Sequence, residues 1–408
     1  MKNIILATLG ALAFAPSAAA AELFEQAPGT KIRIDLAAMP KPYTPPSPAN
    51  ASLSIARPKG AMPRVPDGFR VNIFAEDLES PRNVKIAPNG DVFLVQQTGD
   101  VRVLRDVDSD GDADEIELFT DDVLGPHGVA FTKDAVLIGD LMAVWSFEYQ
   151  PGDMTARAKP KQLTADGALG DPGGHSTRNV VIHPDGTKFY VAIGSRGNIN
   201  EEPEPRATIQ EFKIDGSGQR TFATGLRNAV GMAFAPGTSD LYTVVNERDS
   251  MADELVPDYL TKVVDGGFYG WPYSYMGQHP QPRFAERRPD LVKRAIVPDT
   301  PFRSHSAPVE MTFSTGDAFP PDYRGGAFVA LHGSWNAAKP RGYHVVYVPW
   351  IQGQPADHYI VFASGFWHRG ETKAEVWGRP SGVAMAKDGS LLIADDVANT
   401  IWRVSAAN

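Results

Sequence analysis

Cysteine is absent from the 408 residues. That excludes disulfides and thiolate metal sites, so an exported form of the chain must stand on its core and on bound ions. Positive charge is in deficit too: 39 Lys and Arg face 49 Asp and Glu, a net −10. Nucleic acid is thereby excluded as a ligand class, because phosphate recognition relies on concentrated cations. The one mixed run, "ERRPDLVKR" (286–294), combines both signs and reads as a solvated face. Helix signals are sparse. Beyond the N-terminus no apolar run approaches the ~20 residues that a membrane span needs.

What is present begins with "MKNIILATLGALAFAPSAAAAE". Lys2, a short apolar stretch over 4–14 and small residues up to Ala21 predict a secretory signal over 1–21, cleaved before Glu22. The protein is therefore expected to be periplasmic or secreted. Residues 22–66 follow, with the Pro-rich stretch "PKPYTPPSPANASLSIARPKGAMPRVP" (40–66). Proline lacks an N–H donor and favours extended chain, so this reads as a surface arm or linker.

From residue 67 to 408 one domain is expected. An apolar stretch, a turn of the Pro-Asp-Gly type and a second apolar stretch recur along it. Clear copies are "PRNVKIAPNGDVFLV" (81–95), "RNVVIHPDGTKFYVA" (178–192), "RNAVGMAFAPGTSDLYTV" (227–244) and "RPSGVAMAKDGSLLIAD" (379–395). Looser ones begin at Pro126 and Ala307. Each reads strand, tight turn, strand, since Asn-Gly and Asp-Gly accept positive φ. Six units of blade length predict an all-β fold, a six-bladed β-propeller, in which sheets that cannot bury both faces alone stack around an axis. Ring closure is expected between "FRVNIFAE" (69–76) and "TIWRVS" (400–405).

In such a ring, residues just before each inner strand gather at one mouth of the axial channel. Those positions carry His127, His175, Arg227 with Asn228, His305 and Arg379. Within "GGHSTRN" (173–179), glycines allow close backbone approach and His175 is suited to take a proton near neutral pH. Alone, it would more readily be read as a loop brace. Arg227 suits developing negative charge and Asn228 a carbonyl, although the Arg-Asn pair recurs at 82–83 and 178–179, where it braces a strand. The segment "VVNERDSMADELVPDYLTKVVDGGFYGWPYSYMGQ" (244–278) offers Glu247, Asp249, Asp253 and Glu254 as hard oxygens for Ca²⁺. Its Trp271, Tyr273 and Tyr275 suit either packing under a long loop or sugar stacking.

Taken together, "GGH", "GLRN…GMAF", "NERD…ADELVPDY…GGFYGWPYSY", "HSAP" (305–308) and "HGSWN" (332–336) resemble the soluble quinoprotein glucose/sorbosone dehydrogenases, in particular their L-sorbosone dehydrogenase-like branch. The resemblance implies pyrroloquinoline quinone (PQQ) and Ca²⁺ in the funnel of a six-bladed propeller. It implies oxidation of a sugar or sugar-derived aldehyde, with electrons leaving to a soluble acceptor, a cytochrome or a quinone. His175 matches the family's general base. Arg227 and Asn228 match the pair at the quinone oxygens, with Arg227 placed to stabilise arriving charge. Gln97, His305 and Arg379 fall where the family contacts PQQ. Where glucose-oxidising members hold calcium through Gly and Pro carbonyls, this chain has Glu247 and Arg248. The family's second arginine of the last blade is replaced by Ser381. Its lysine has no clean match, with His332, Lys339 and Arg341 near the place.

A separate calcium loop is expected at "DVDSDGDADEIE" (106–117), which fits the EF-hand pattern at Asp106, Asp108, Asp110, Gly111, Asp114 and Glu117. Flanking "DVRVLRD" and "EIELFT" read as strands, so the loop is expected to be structural and not a sensor. Five crowded carboxylates repel one another unless an ion neutralises them. Two other classes remain open for the whole chain: a calcium-dependent propeller lactonase or esterase, and a binding module without a cofactor.

Overall fold

The computed structural model describes residues 23–284 and 286–407; the expected signal segment lies outside them. The chain is almost entirely β. The one α-helix among the described residues, Pro289–Arg294, falls in the mixed-charge run and has no buried residue. Among the described residues no helix is long and apolar enough to cross a membrane.

Among the described residues six sheets of four or five strands follow one another, antiparallel except for one parallel strand pair at the edge of the third, and each winds outward from its first strand. The first strands are Pro81–Ile86, Gly128–Phe131, Val180–Ile182, Ala229–Phe234, Pro308–Phe313 and Pro380–Met385. Each packs on the next, and the last packs on the first, which closes a β-propeller ring. The sixth sheet draws its outer strand from the far end of the domain. Phe69–Ala75 pairs antiparallel with Thr400–Ala406, with Val71 opposite Val404 and Ile73 opposite Trp402. This is the expected ring closure.

The core is divided among the gaps between sheets. Because side chains alternate across a strand, a strand between two sheets must be apolar on both faces. In Leu391–Asp395, Leu391 and Ile393 pack towards the fifth sheet, while Leu392 and Ala394 pack towards the first. The continuous run "SLLIA" is the result. The turn before this strand holds Gly389 at φ +81°, and the equivalent turn of the first sheet holds Gly90 at φ +110°, conformations that favour glycine.

The Pro-rich arm lies against the ring. Lys31–Ile32 pairs with the outer strand of the fifth sheet, Tyr359–Ala363. Leu53–Ser54 runs parallel to Glu375–Val376. Asn50 donates through its side chain to the carbonyls of Ala337 (2.8 Å) and Thr372 (2.7 Å).

Near the axis the first strands carry polar groups from opposite sides of the ring. Glu310, fully buried, accepts from the Asn179 amide at 3.0 Å and pairs with Lys85 Nζ at 3.3 Å.

Candidate functional site

Register determines what meets at the mouth. The start of each first strand pairs with the end of the second: Pro81 with Gln96, Gly128 with Gly139, Pro308 with Leu331, Pro380 with Asp395. Residues that precede the first strand and residues that follow the second therefore form one rim.

His175 is half-buried on that rim. Its Nδ1 lies 2.7 Å from the carbonyl oxygen of Ser195, and its own N–H donates to the same oxygen at 3.1 Å. A carbonyl only accepts, so Nδ1 carries the proton and Nε2 keeps its lone pair. Nε2 makes no hydrogen bond among the described residues. Burial, and then the charge of Arg227, lower the imidazole to about 4, so it is neutral at physiological pH. The sequence fits this approach closely. A Cβ on Gly174 would meet the Arg196 backbone at 2.3 Å, and one on Gly194 would meet Asn228 Oδ1 at 2.3 Å and His175 Cβ at 2.6 Å.

Arg227 is buried, and all five of its N–H groups are committed. Nη1 donates to the carbonyls of Glu247 (2.7 Å) and Asn246 (3.3 Å), Nη2 to Asn198 Oδ1 and Asp249 Oδ2 (3.0 Å each), and Nε to Asn198 O (3.3 Å). A direct contact between Arg227 and a bound oxygen therefore requires one of these bonds to be exchanged, whereas its charge acts without rearrangement. Asn228 differs: its buried Oδ1 has no partner among the described residues.

Asp249 and Asn198 join these elements. Asp249 Oδ1 accepts from Asn336 Nδ2 at 2.8 Å and lies 3.8 Å from His305 Nδ1. Burial opposes its ionisation, but His305 and Arg227 outweigh it and hold the carboxyl below the usual range. Asn198 donates to the Asp249 carbonyl and accepts from the Asp249 N–H, both at 2.9 Å, while its own carbonyl accepts from the Trp271 indole at 2.9 Å. Trp271 and Tyr275 are buried and serve packing. His305, at φ +68°, directs Nε2 to the Ala252 carbonyl at 3.1 Å.

A second group involves the sixth sheet. Arg379 donates to the carbonyls of His332 (2.9 Å) and Gly333 (3.0 Å). His332 Nε2 lies 2.8 Å from Asp396, which also accepts from Arg82 (2.9 Å) and Gln97 (3.0 Å). Burial opposes the charge on Asp396, but His332, Arg82 and Arg379 hold its carboxyl well below the usual range. The loop 332–336 links the two groups, since Gly333 O accepts from Arg379 and Asn336 reaches Asp249. His175, Arg227, Asn228 and His305 are thus joined through Asp249 and loop 332–336 to Arg379 and Gln97.

Glu247 and Arg248 are used internally. Both side chains are fully buried, Arg248 Nε donating to Glu247 Oε2 at 2.8 Å. The rest of the Arg248 guanidinium holds Ser274 O (2.7 Å) and Gln281 Oε1 (3.1 Å). Asp253 and Glu254 pair with Arg341 at 2.9 and 3.0 Å. In the acidic loop, Asp106, Asp108 and Asp114 bring one oxygen each within 4.8 Å of one another, the one such group of three among the described residues. Asp110 and Glu117 stand outside it. The flanking segments are strands, Val101–Arg105 and Glu115–Thr120, as expected.

Ser195, Asn198 and Asp396 escaped the reading of the sequence. They follow second strands, and only the register brings those positions beside the first strands. The signal available was positional: "GSRGNIN" (194–200) and "DD" (395–396) occupy equivalent places in their repeats.

The fold and the rim define a β-propeller whose interior mouth is lined by imidazole, guanidinium and carboxamide groups. Within that class the family is plain. A family model described as TrAA12-like matches residues 63–262 and 290–407, and the chain belongs to that family. This agrees with the resemblance to soluble PQQ-dependent sugar dehydrogenases. An uncharacterized protein of Borreliella burgdorferi is 26% identical over 353 residues, 84% of this chain and 90% of its own length. The pyrroloquinoline quinone-dependent pyranose dehydrogenase of Coprinopsis cinerea is 25% identical over 424 residues, 86% of this chain. The match spans only 56% of that enzyme's length. Among solved structures, the holo PQQ domain of the Coprinopsis cinerea pyranose dehydrogenase superposes with TM-score 0.70 at 21% identity, covering 87% of this chain and 100% of the domain. The PQQ-bound aldose sugar dehydrogenase of Streptomyces coelicolor gives TM-score 0.59 at 16% identity, covering 84% and 100%. These structures share the fold.

Proposed function

We propose that the protein is an exported, PQQ-dependent dehydrogenase of a sugar or sugar-derived aldehyde, of pyranose, aldose or sorbosone type. Its six sheets act as the six blades of residues 67–408, behind a signal over 1–21 and an arm over 22–66. Electrons pass on to a soluble acceptor.

The observation that carries the reading is the state of His175: neutral, oriented through Nδ1–H to Ser195 O at 2.7 Å, with Nε2 free. A base of this kind removes a hydroxyl proton in the geometry it already holds. The residues suit the quinone. PQQ bears carboxylates and carbonyls, and the rim offers donors to them: the Arg379 guanidinium and the side-chain amide N–H groups of Asn228 and Gln97. His305 would hold the Asp249 loop beside them.

When bound, PQQ supplies the two-electron acceptor for hydride from the substrate carbon. His175 Nε2 takes the hydroxyl proton of that carbon and passes it to water once product leaves. Arg227 contributes its charge from within its own hydrogen-bond frame, lowering the energy of negative charge gathering at the mouth. Asn198 and Asp249 keep that guanidinium in place. Calcium would be held in two places: by the Asp106–Asp108–Asp114 loop as a structural site, and at the mouth by the main-chain oxygens of Glu247 and Arg248, the former of which would have to release Arg227 Nη1.

The test is reconstitution of purified protein with PQQ, with and without Ca²⁺, followed by dye reduction with aldoses, pyranoses and sorbosone. Turnover that requires PQQ and no nicotinamide supports the reading. Tight PQQ binding without turnover on any of them favours a binding module, and failure to bind PQQ rejects the assignment.

A further inference from the structure

The turn after the first strand is short in three of the repeats, spanning 87–91, 183–187 and 386–390, and long in the fifth, where it spans 314–326. In repeat folds such insertions fall on one face, which is often a binding face. Here it is the face opposite the mouth. Ala229–Phe234 and Pro308–Phe313 start at the mouth and reach these turns about 17 Å away. The long turn is held in shape. Ser314 Oγ donates to Tyr323 O at 2.6 Å, while Tyr347 Oη donates to Arg324 O at 2.9 Å and accepts from Gly326 N–H at 3.0 Å. Between this turn and the fourth-sheet turn over 235–240 lies a cavity of about 540 Å³, an ordinary size for a small-molecule site.

One wall of the cavity is aromatic. Trp350 stands on a hairpin, Trp350–Ile351 with Gln354–Pro355, that turns at Gln352 (φ +53°) and Gly353 (φ +79°). Its indole meets Tyr242 and Phe313 edge to face, with ring centroids 5.1 and 5.0 Å apart. Tyr242 is only 1% exposed, yet its hydroxyl has no partner among the described residues. A buried tyrosine ordinarily bonds its O–H. Burial, then Asp299 and Asp240, push the phenol up to about 12, so it keeps its proton as a donor. The Trp350 indole N–H and the Nη groups of Arg324 are also without partners among the described residues; Arg324 uses Nε alone, towards Phe319 O. Asp240, paired with Lys262 at 2.8 Å, brings carboxylate oxygens to the same cavity.

We infer that this cleft binds a neutral saccharide, with a sugar ring against the Trp350 cluster and its hydroxyls bonded by Tyr242, Arg324 and Asp240. A sugar ring combines an apolar C–H face with hydroxyls that both donate and accept. The cleft offers the complement: an aromatic wall, open donors and a carboxylate. Because a cation and an anion share it, a ligand charged of either sign meets a like charge. None of these residues belongs to the mouth, so the site holds a sugar chain away from the proposed oxidation and takes no part in it.

The probes are cellotetraose, maltotetraose and xylotetraose, with tetragalacturonate as the anionic counterpart, each titrated into the purified protein by calorimetry. Saturable binding of at least one neutral chain is expected. Tyr242→Phe should weaken it about tenfold by removing the open hydroxyl, and Trp350→Ala should weaken it further. If Trp350→Ala does not fold, Arg324→Met, at an exposed position, takes its place. Absence of saturable binding, tighter binding of tetragalacturonate than of the neutral chains, or equal affinity in wild type and both variants overturns the proposal. Dye reduction with monosaccharides by the PQQ-loaded variants should equal that of wild type. The binding measurement needs neither PQQ nor turnover, so its failure is distinct from failure of the dehydrogenase reading.

Discussion

The Nδ1 of His175 lies 2.7 Å from the main-chain oxygen of Ser195, and the Ser195 N–H in turn donates to the carbonyl of Arg227 at 2.7 Å. Two backbone links thus tie the proposed base to the residue proposed to stabilise charge. The loops of the third and fourth sheets are held as one unit, and a shift in either moves both groups.

The first consequence is a pH profile. His175 must be neutral to act, and its imidazole is lowered to about 4 by burial and Arg227. kcat/KM is therefore expected to be flat from neutral pH to about 5 and to fall below about 4. An acid limb centred near 6.5, the ordinary histidine value, would show an exposed imidazole and contradict the assignment.

Asn198→Ala removes the acceptor of Arg227 Nη2 and of the Asp249 N–H. Two donors lose their partner, at a cost of about 1–3 kcal/mol in stability. Because the guanidinium loses its frame, kcat should fall more than KM rises. Urea unfolding and steady-state kinetics check both effects, and an unchanged kcat contradicts the framing role.

Stability should decline as pH falls from about 6.5 to about 4. Burial lowers His127 and His344 to about 3, and lowers His175 and His332 to about 4. In that window the unfolded chain binds protons that the folded chain refuses, which favours unfolding. Asp258 and Asp395, raised by burial to about 7 and about 6, act in the opposite sense but are fewer. The urea midpoint measured at pH 7, 6 and 5 should fall, and a steady rise contradicts this balance.

Calcium should raise Tm through the first-sheet loop. Asp106, Asp108 and Asp114 already bring oxygens within 4.8 Å, and an ion between them relieves their repulsion. Asp108→Asn should reduce the calcium-dependent shift, and chelator should lower Tm in wild type to the level of the variant. A Tm indifferent to Ca²⁺ contradicts a structural ion there.

Much of the ring was legible in the sequence because strands covered on both faces leave unbroken apolar runs, and because Asn-Gly and Asp-Gly turns punctuate them. The partners at the rim were legible only by halves. His175, Arg227 and Arg379 precede first strands and stand out as polar residues in a repeated place. Ser195, Asn198 and Asp396 follow second strands and become neighbours only through the pairing register. Side-chain direction was not legible at all. Arg227 spends all five donors on its own protein, and Glu247 with Arg248 forms a fully buried pair; neither follows from residue type or spacing.

The central claim is that a neutral His175 removes the substrate proton while bound PQQ accepts the electrons. The direct test is anaerobic mixing of a sugar that the wild-type enzyme oxidises with wild-type and His175→Ala protein, each loaded with stoichiometric PQQ, while the cofactor absorbance is followed. The account predicts rapid reduction in wild type and, in the variant, unchanged PQQ affinity with reduction slowed about 10²–10⁴-fold. Equal reduction rates in the two proteins would contradict it.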